Sequence, residues 1–274
     1  MDLELRRVEI EGDDLYVVLT HDVDWPRHGP PLQHVLHRLH RFDLETRYLV
    51  FYGENLYDCI WSIVECEERV GVKSTFFFRV WYEDGSTAEL YSDVMHELDR
   101  RGWEVGLHAN CGSSVEAIAR EREQLEKLSG ASIVSMRVHY LNIDLGVLPW
   151  LSLAGIRVDS SICLSKYGPN EESSGAMAID GVVELPITVM DTYVFTYWSI
   201  GDPDHAQSAV VEAIERAFSR GAKLVTLLWH SNTLHMVGGR QYPKILERLW
   251  EIDHIKFLRA RDVLSIVRLR SDER

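Results

Sequence analysis

The chain has 274 residues, 46% of them hydrophobic and 26% charged, which suits one large α/β domain or two small ones. Its net charge is −14 with no block of lysine or arginine, so the phosphate neutralisation that drives binding to nucleic acid or an anionic membrane is missing, and neither is an expected partner. No window approaches the roughly 18 apolar residues of a membrane span, and the acid-bearing start MDLELRRVEIEGDD lacks the apolar stretch of a signal peptide, so a cytoplasmic protein is expected.

The first strand-like run, from Leu15 to Leu19, leads into LTHDVDWP and therefore ends on Asp22 and Asp24. Side chains two apart in an extended strand share a face, so both carboxylates point the same way and need a metal ion, an arginine or solvent to offset their repulsion. Residues 25–70 form a longer connection with helical content of its own, LQHVLHRLHRF and ENLYDCIWSIVECEERVG. His34, His37 and His40 recur there every three residues; without an acid or thiol at ligand spacing they read as a surface stripe or insertion packing.

Further short apolar runs follow: STFFFRV at 74–80, EVGLH at 104–108, SMRVHYL at 135–141, VDSSI at 158–162, VVELPITVMD at 182–191 and KLVTLLWHS at 223–231. Helical patterns separate most of them, among them AELYSDVMHELDRRG, SSVEAIAREREQLEKLSG, AQSAVVEAIERAFSRG and YPKILERLWEID, several closed by a glycine C-cap. That alternation predicts a parallel sheet, and about seven strands favour a (β/α) barrel with an open sheet as the alternative: one domain over residues 1–274 with a helical insertion at about 25–70. Cys59, Cys66, Cys111 and Cys163 are scattered and form no C-x-x-C pair, as core thiols of a reducing compartment would be.

Polar residues sit late in these runs. Asp22, Asp24, His108, Arg137, His139, Asp159 and His230 would converge at the carboxyl-terminal mouth of a barrel, where such folds keep their chemistry. A lone histidine after a strand is usually a hydrogen-bonded core or loop residue. Repetition at equivalent positions outweighs that reading, and Asp with three His has the composition of a hydrolytic zinc site. Trp103 and Trp229 lie beside this set, where tryptophan either fills core or stacks on a sugar at a pocket rim.

The order T-H-D-V-D, K-S-T-F-F-F, E-V-G-L-H, R-V-H-Y, D-S-S and L-L-W-H resembles the motif series of the NodB-type polysaccharide deacetylases, carbohydrate esterase family 4, over roughly residues 15 to 232. The family pattern is T-F-D-D, S/A-T-F-F, H-S/T-x-x-H, R-x-P-Y, a D-containing motif and L-x-L-H. The resemblance implies a distorted (β/α) barrel that removes acetyl groups from N-acetylated sugars with a divalent metal, usually zinc. It implies Asp22 as general base, His230 as general acid, His108 as metal ligand and Arg137 as the partner keeping the base ionised. Asp159 would orient either Arg137 or His230, and the Tyr140 backbone N–H would help hold the oxyanion.

Two departures stand out. The family's adjacent aspartates are here separated by a valine, and Asp24 is expected to replace the second as metal ligand; a similar D-V-D occurs in deacetylases of lipid-linked aminoarabinose precursors, which look like distant relatives. Four residues after His108, where the family has its second metal histidine, stands Gly112. His139, in the proline position of R-x-P-Y, is the first candidate for the missing ligand, Cys111 the second, and a water-completed or metal-free site the third. The expected function is metal-dependent hydrolysis of an acetamide on a carbohydrate or sugar conjugate. Hydrolysis of another amide or ester, and a catalytically degenerate barrel that binds a glycan or protein, stay open.

Overall fold

The computed structural model describes residues 6–10, 12–170, 172–198, 200 and 202–267; the first five residues of the acid-bearing start lie outside the described residues. Its strands are β1 (Arg6–Arg7), β2 (Leu15–Val23), β3 (Thr75–Phe78), β4 (Glu104–Ala109), β5 (Ser135–Val138), β6 (Val158–Asp159), β7 (Met177–Ile179), β8 (Val182–Glu184), β9 (Ile187–Met190), β10 (Leu224–Leu228) and β11 (Ile255–Leu258). The helices are α1 (Leu32–His37), α2 (Leu44–Phe51), α3 (Ile60–Arg69), α4 (Ser92–Arg100), α5 (Val115–Ser129), α6 (Asp191–Thr196), α7 (Pro203–Ser219) and α8 (Tyr242–Trp250).

β2 is the hub. Its apolar residues are buried on both faces, as a central strand of a parallel sheet requires. β10 runs parallel along one edge from Leu224↔Tyr16 to Leu228↔Thr20. The other edge is divided between β11, opposite Leu15 to Val18, and β3, opposite Thr20 to Val23. From β3 the sheet continues in parallel through β4, β5 and β6. It closes where β9, paired with β10, meets the chain leaving β6: Ile187 bridges Cys163 and donates its N–H to Ile162 O at 2.8 Å. β2, β3, β4, β5, β6, β9 and β10 thus make a distorted parallel barrel, with β8, β7 and β1 as a branch from β6.

The run 182–191 yields two strands instead of one. Pro186 lacks the N–H a ladder needs, so the chain breaks there; β8 joins β6 while β9 joins β10. Local signals set the helix ends. The Ser114 hydroxyl accepts from Ala117 N–H at the start of α5, and Gly130 ends it at φ 69°, a left-handed position that glycine occupies without strain. In the connection after β2, Asp43 caps α2 by accepting from Thr46 N–H at 2.8 Å. Val35, Phe42, Leu56 and Tyr57 of this connection form a small apolar cluster with Met236, from the loop after β10.

Alternation along β2 sends Thr20, Asp22 and Asp24 inward and His21 outward. The His21 ring meets Glu67 of α3 at 2.9 Å, and the same buried carboxylate accepts from Ser74, Trp103 and Tyr242. Four donors offset the cost of burying that charge and fix the back of the strand carrying the two aspartates.

Candidate active site

Five strand ends bring six polar side chains to one pocket of about 450 Å³. Asp22 lies on β2 and Asp24 one residue past it; Arg79 follows β3, His108 ends β4, His139 follows β5, and His230 lies two residues beyond β10. This is the carboxyl-terminal mouth of the barrel, where parallel strands leave unpaired backbone and loops can carry chemistry.

Three donors form a near-regular triangle. His108 Nε2 is 3.2 Å from Asp24 Oδ1 and 3.1 Å from His139 Nδ1, and His139 Nδ1 is 3.4 Å from Asp24 Oδ1. Two nitrogens about 2.0–2.1 Å from one zinc ion at a tetrahedral angle lie about 3.3 Å apart, so the triangle has the edge length of one face of such a coordination sphere. His108 Nδ1 lies 3.0 Å from Arg137 O; donating to that carbonyl leaves Nε2 as the free lone pair turned to the triangle. Glu83 Oε1 stands 3.8 Å from His139 Nε2, on the far side of that ring. The donor set, one carboxylate and two imidazoles, fits a divalent metal, and among the described residues it is the only such group of three.

Beside the triangle, Asp22 is almost fully buried, its Oδ1 accepting from Arg137 Nη1 at 2.7 Å and its Oδ2 lying 3.8 Å from His108 Nε2. Burial pushes its carboxyl up, but the Arg137 guanidinium, His108 and His230 outweigh this and hold it below the usual carboxylate range. Arg137 is locked in turn, donating to Thr20 Oγ1, Ser160 O and Ser160 Oγ. Burial pushes Asp24 up, but the neighbouring His108, His139 and His230 more than offset this and hold it well below its ordinary range.

His230 Nε2 is 3.8 Å from Asp24 Oδ2, while its Nδ1 is 2.6 Å from Asp191 Oδ1. Asp191 also accepts from the His230 backbone N–H at 3.0 Å and from Thr233 Oγ1 at 2.9 Å. Burial opposes the charge on the ring, yet Asp191, with Asp24 and Asp22 beyond it, pushes His230 up to about 10. The pocket therefore carries an ionised carboxylate beside His108 and a protonated imidazole beside Asp24, an arrangement able to move protons in both directions.

No protein-family model matches the chain, and no curated protein matches it in sequence. Solved structures do match. A Mycobacterium smegmatis protein assigned as a polysaccharide deacetylase superposes with a TM-score of 0.65 at 17% identity, covering 96% of this chain and 94% of its own. The peptidoglycan N-acetylglucosamine deacetylase Bc1960 gives 0.54 at 16% identity, over 95% of this chain and 91% of its own. BA3943 of Bacillus anthracis, a CE4 family pseudoenzyme, gives 0.51 at 13%, over 93% and 66%. The chain has the fold of the CE4 polysaccharide deacetylases.

That CE4 fold carries both an enzyme and a pseudoenzyme by these descriptions, so the side chains at the mouth decide the chemistry. Several sequence expectations change there. Asp159 hydrogen-bonds neither Arg137 nor His230; its Oδ1 accepts from Ser161 Oγ at 2.6 Å. Burial raises this carboxyl and, more strongly, that of Glu184, which the neighbouring Asp159 pushes up further. Orientation of Arg137 comes from Ser160, and orientation of His230 from Asp191.

Trp229 is not a rim residue. It is fully buried, donates Nε1–H to Gly239 O at 2.9 Å and packs against Phe195 and Tyr242, so no sugar can reach it. Trp103 is likewise core. Cys111 stands outside the donor triangle, with its Sγ 3.7 Å from Ser113 Oγ. Tyr140 does line the pocket, at φ 58°, and the following Leu141 is also left-handed, at φ 56°. Its ring lies 3.9 Å from that of His139.

Gly112 explains the absent histidine. A Cβ there would overlap the carbonyl oxygen of Asn142 and stand 2.8 Å from Val138 Cγ1, because the turn that follows His139 occupies the space. Gly112 O also accepts from Asp144 N–H at 2.8 Å. The backbone of residues 142–144 thus fills the place of a side chain at 112, in the same turn that carries His139. Gly112→Ala is expected to destabilise the fold by about 1–3 kcal/mol by overpacking and to loosen the triangle through His139. Thermal melting and metal titration on the variant check this; wild-type values in both would show that the turn is not held by that contact.

Arg79, Glu83 and Asp191 are site residues that sequence reasoning passed over. Arg79 is buried, donates to Asp24 O at 3.2 Å and pairs with Glu83 at 2.8 Å. Each of Arg79 and Asp191 closes a strand run already picked out, the same positional signal that singled out His108.

Proposed function

We propose that the protein is a metal-dependent hydrolase that removes an acetyl group from an N-acetylated sugar or sugar conjugate, as one NodB-type domain. The observation carrying this reading is the Asp24–His108–His139 triangle flanked by Asp22 and His230. A divalent ion held there, zinc by the chemistry of its donors, supplies Lewis acidity toward the amide carbonyl and lowers the pKa of water.

The chain's own groups do the rest. Asp22, kept ionised by Arg137, accepts the proton of the attacking water. The Tyr140 N–H is assigned to the developing oxyanion, a contribution of order 3 kcal/mol per donor in comparable sites. His230, held by Asp191, gives its proton to the departing amine. A non-catalytic barrel has no use for a base and an acid beside a metal-ligand set, which disfavours the degenerate reading.

Turnover of N-acetylated amino sugars and of aryl acetates, measured before and after chelation and after metal is restored, tests the proposal. Chelator-sensitive amide hydrolysis is expected. Hydrolysis of esters alone would move the assignment to an esterase, and no turnover with stoichiometric metal would favour a binding role.

The Asp191 role has its own test. Asp191→Asn keeps an acceptor for the ring but removes the charge, so kcat should fall by about 10²-fold or more, with KM little changed, since a positioned acid contributes on this scale. A fall in kcat/KM arising wholly from KM would assign Asp191 to substrate binding instead.

A further inference from the structure

Of the three arginines lining the pocket that holds the donor triangle, Arg79 faces a carboxylate, Glu83. Arg38 and Arg41 do not: among the described residues neither has an acidic partner, and both line the pocket that holds the donor triangle. Arg38 is half-buried and donates Nη1–H to His34 Nδ1 at 3.2 Å, while the exposed Arg41 has no side-chain hydrogen bond among the described residues.

Their field is felt nearby. Burial first, then Arg38 and Arg41, hold His34 down at about 4, so the ring stays neutral beside them. Two guanidinium groups lining one pocket, neither at ion-pair distance from a carboxylate among the described residues, leave positive charge available to a ligand in a protein of net charge −14. A carboxylate needs one such fork; a phosphoryl group, with up to two charges and three oxygens, uses two.

We infer that Arg38 and Arg41 bind a phosphoryl group on the substrate, making the substrate class a phosphorylated acylamino sugar. This rests on the hydrolase reading for its acylamino part only. The insertion that carries the pair also exposes Leu44, Tyr48, Phe51 and Tyr52 on α2, so the phosphoryl group could belong to a soluble sugar phosphate or to a lipid-linked one.

The experiment compares N-acetylglucosamine, N-acetylglucosamine 1-phosphate and the farnesyl ester of that phosphate as substrates of the metal-loaded protein. Binding of each is measured in parallel by calorimetry. Wild type is expected to favour a phosphorylated form over the neutral sugar by about tenfold or more in kcat/KM or Kd, the scale of charge-assisted hydrogen bonds. Arg38→Gln with Arg41→Gln should bring that ratio close to one. The farnesyl ester exceeding the free phosphate would identify a lipid-linked source, and the reverse a soluble one; either supports the proposal.

No preference for phosphate in wild type, or a preference that survives the double variant, overturns it. Loss of turnover on all three sugars with phosphate-selective, arginine-dependent binding would instead overturn the hydrolase reading and leave the phosphoryl site standing.

Discussion

Asp22→Asn should lower kcat by about 10²–10⁴-fold, the usual worth of a positioned general base, with metal stoichiometry unchanged. The substitution keeps an oxygen for Arg137 Nη1 and removes only the charge and the proton-accepting capacity. It is not free of structural cost. Arg137 is fully buried and Asp22 is its only carboxylate partner among the described residues, so removing the charge leaves the guanidinium with neutral acceptors only, the asparagine oxygen, Thr20 and Ser160. Breaking a buried pair costs about 3–5 kcal/mol when nothing replaces the partner. Asparagine retains one hydrogen bond and should cost less.

The two effects separate by measurement. Metal content and circular dichroism report the fold, and single-turnover kinetics report the chemistry. Ser160→Ala serves as the matched control: it removes the Arg137 Nη2 bond at 2.7 Å without touching the base, so it should lower the melting temperature while leaving most of the turnover. An Asp22→Asn protein that is folded, metal-loaded and near wild type in kcat would rule Asp22 out as base and leave the resemblance without its central residue.

Period-2 alternation made much of this site legible in the chain. It placed Asp22 and Asp24 together on one face of the first strand. The same rule, applied to Trp229 and His230, allows only one of the neighbours to face the pocket, and Trp229 is the one turned into the core. The parallel barrel followed from the strand–helix rhythm, although Pro186 divided one apparent strand and thereby placed Asp191, the first residue of α6, just past a strand beside β10. That division is why the partner of His230 was missed: spatial neighbours across β9 and β10 are 39 residues apart in the chain. Asp159 misled for a related reason, since a motif position carries a residue's place along the chain but not the direction of its carboxyl. Nothing in the sequence pairs it with Glu184, which lies opposite it in register on β8.

His139→Ala should abolish stoichiometric metal binding, whereas Cys111→Ala should leave it intact. The argument is geometric. Removing one corner of the triangle leaves Asp24 and His108, two ligands at 3.2 Å, and catalytic zinc generally takes three protein ligands with water in the fourth position. The thiol of Cys111 cannot move in as a substitute without dragging the turn around Gly112, where the backbone of residues 142–143 already fills the space. Metal content by mass spectrometry after dialysis against zinc reads the result directly and does not depend on knowing the substrate. Metal retained in His139→Ala and lost in Cys111→Ala would reverse the ligand assignment. Metal retained in both would mean that Asp24 and His108 suffice with water, and the triangle would then be a hydrogen-bonded cluster in which His139 serves another purpose. Loss in His139→Ala alone would explain how a chain with glycine at the expected histidine position keeps a complete set of donors: the ligand has moved from the loop after β4 to the loop after β5, and the glycine is what lets that second loop come close enough to deliver it.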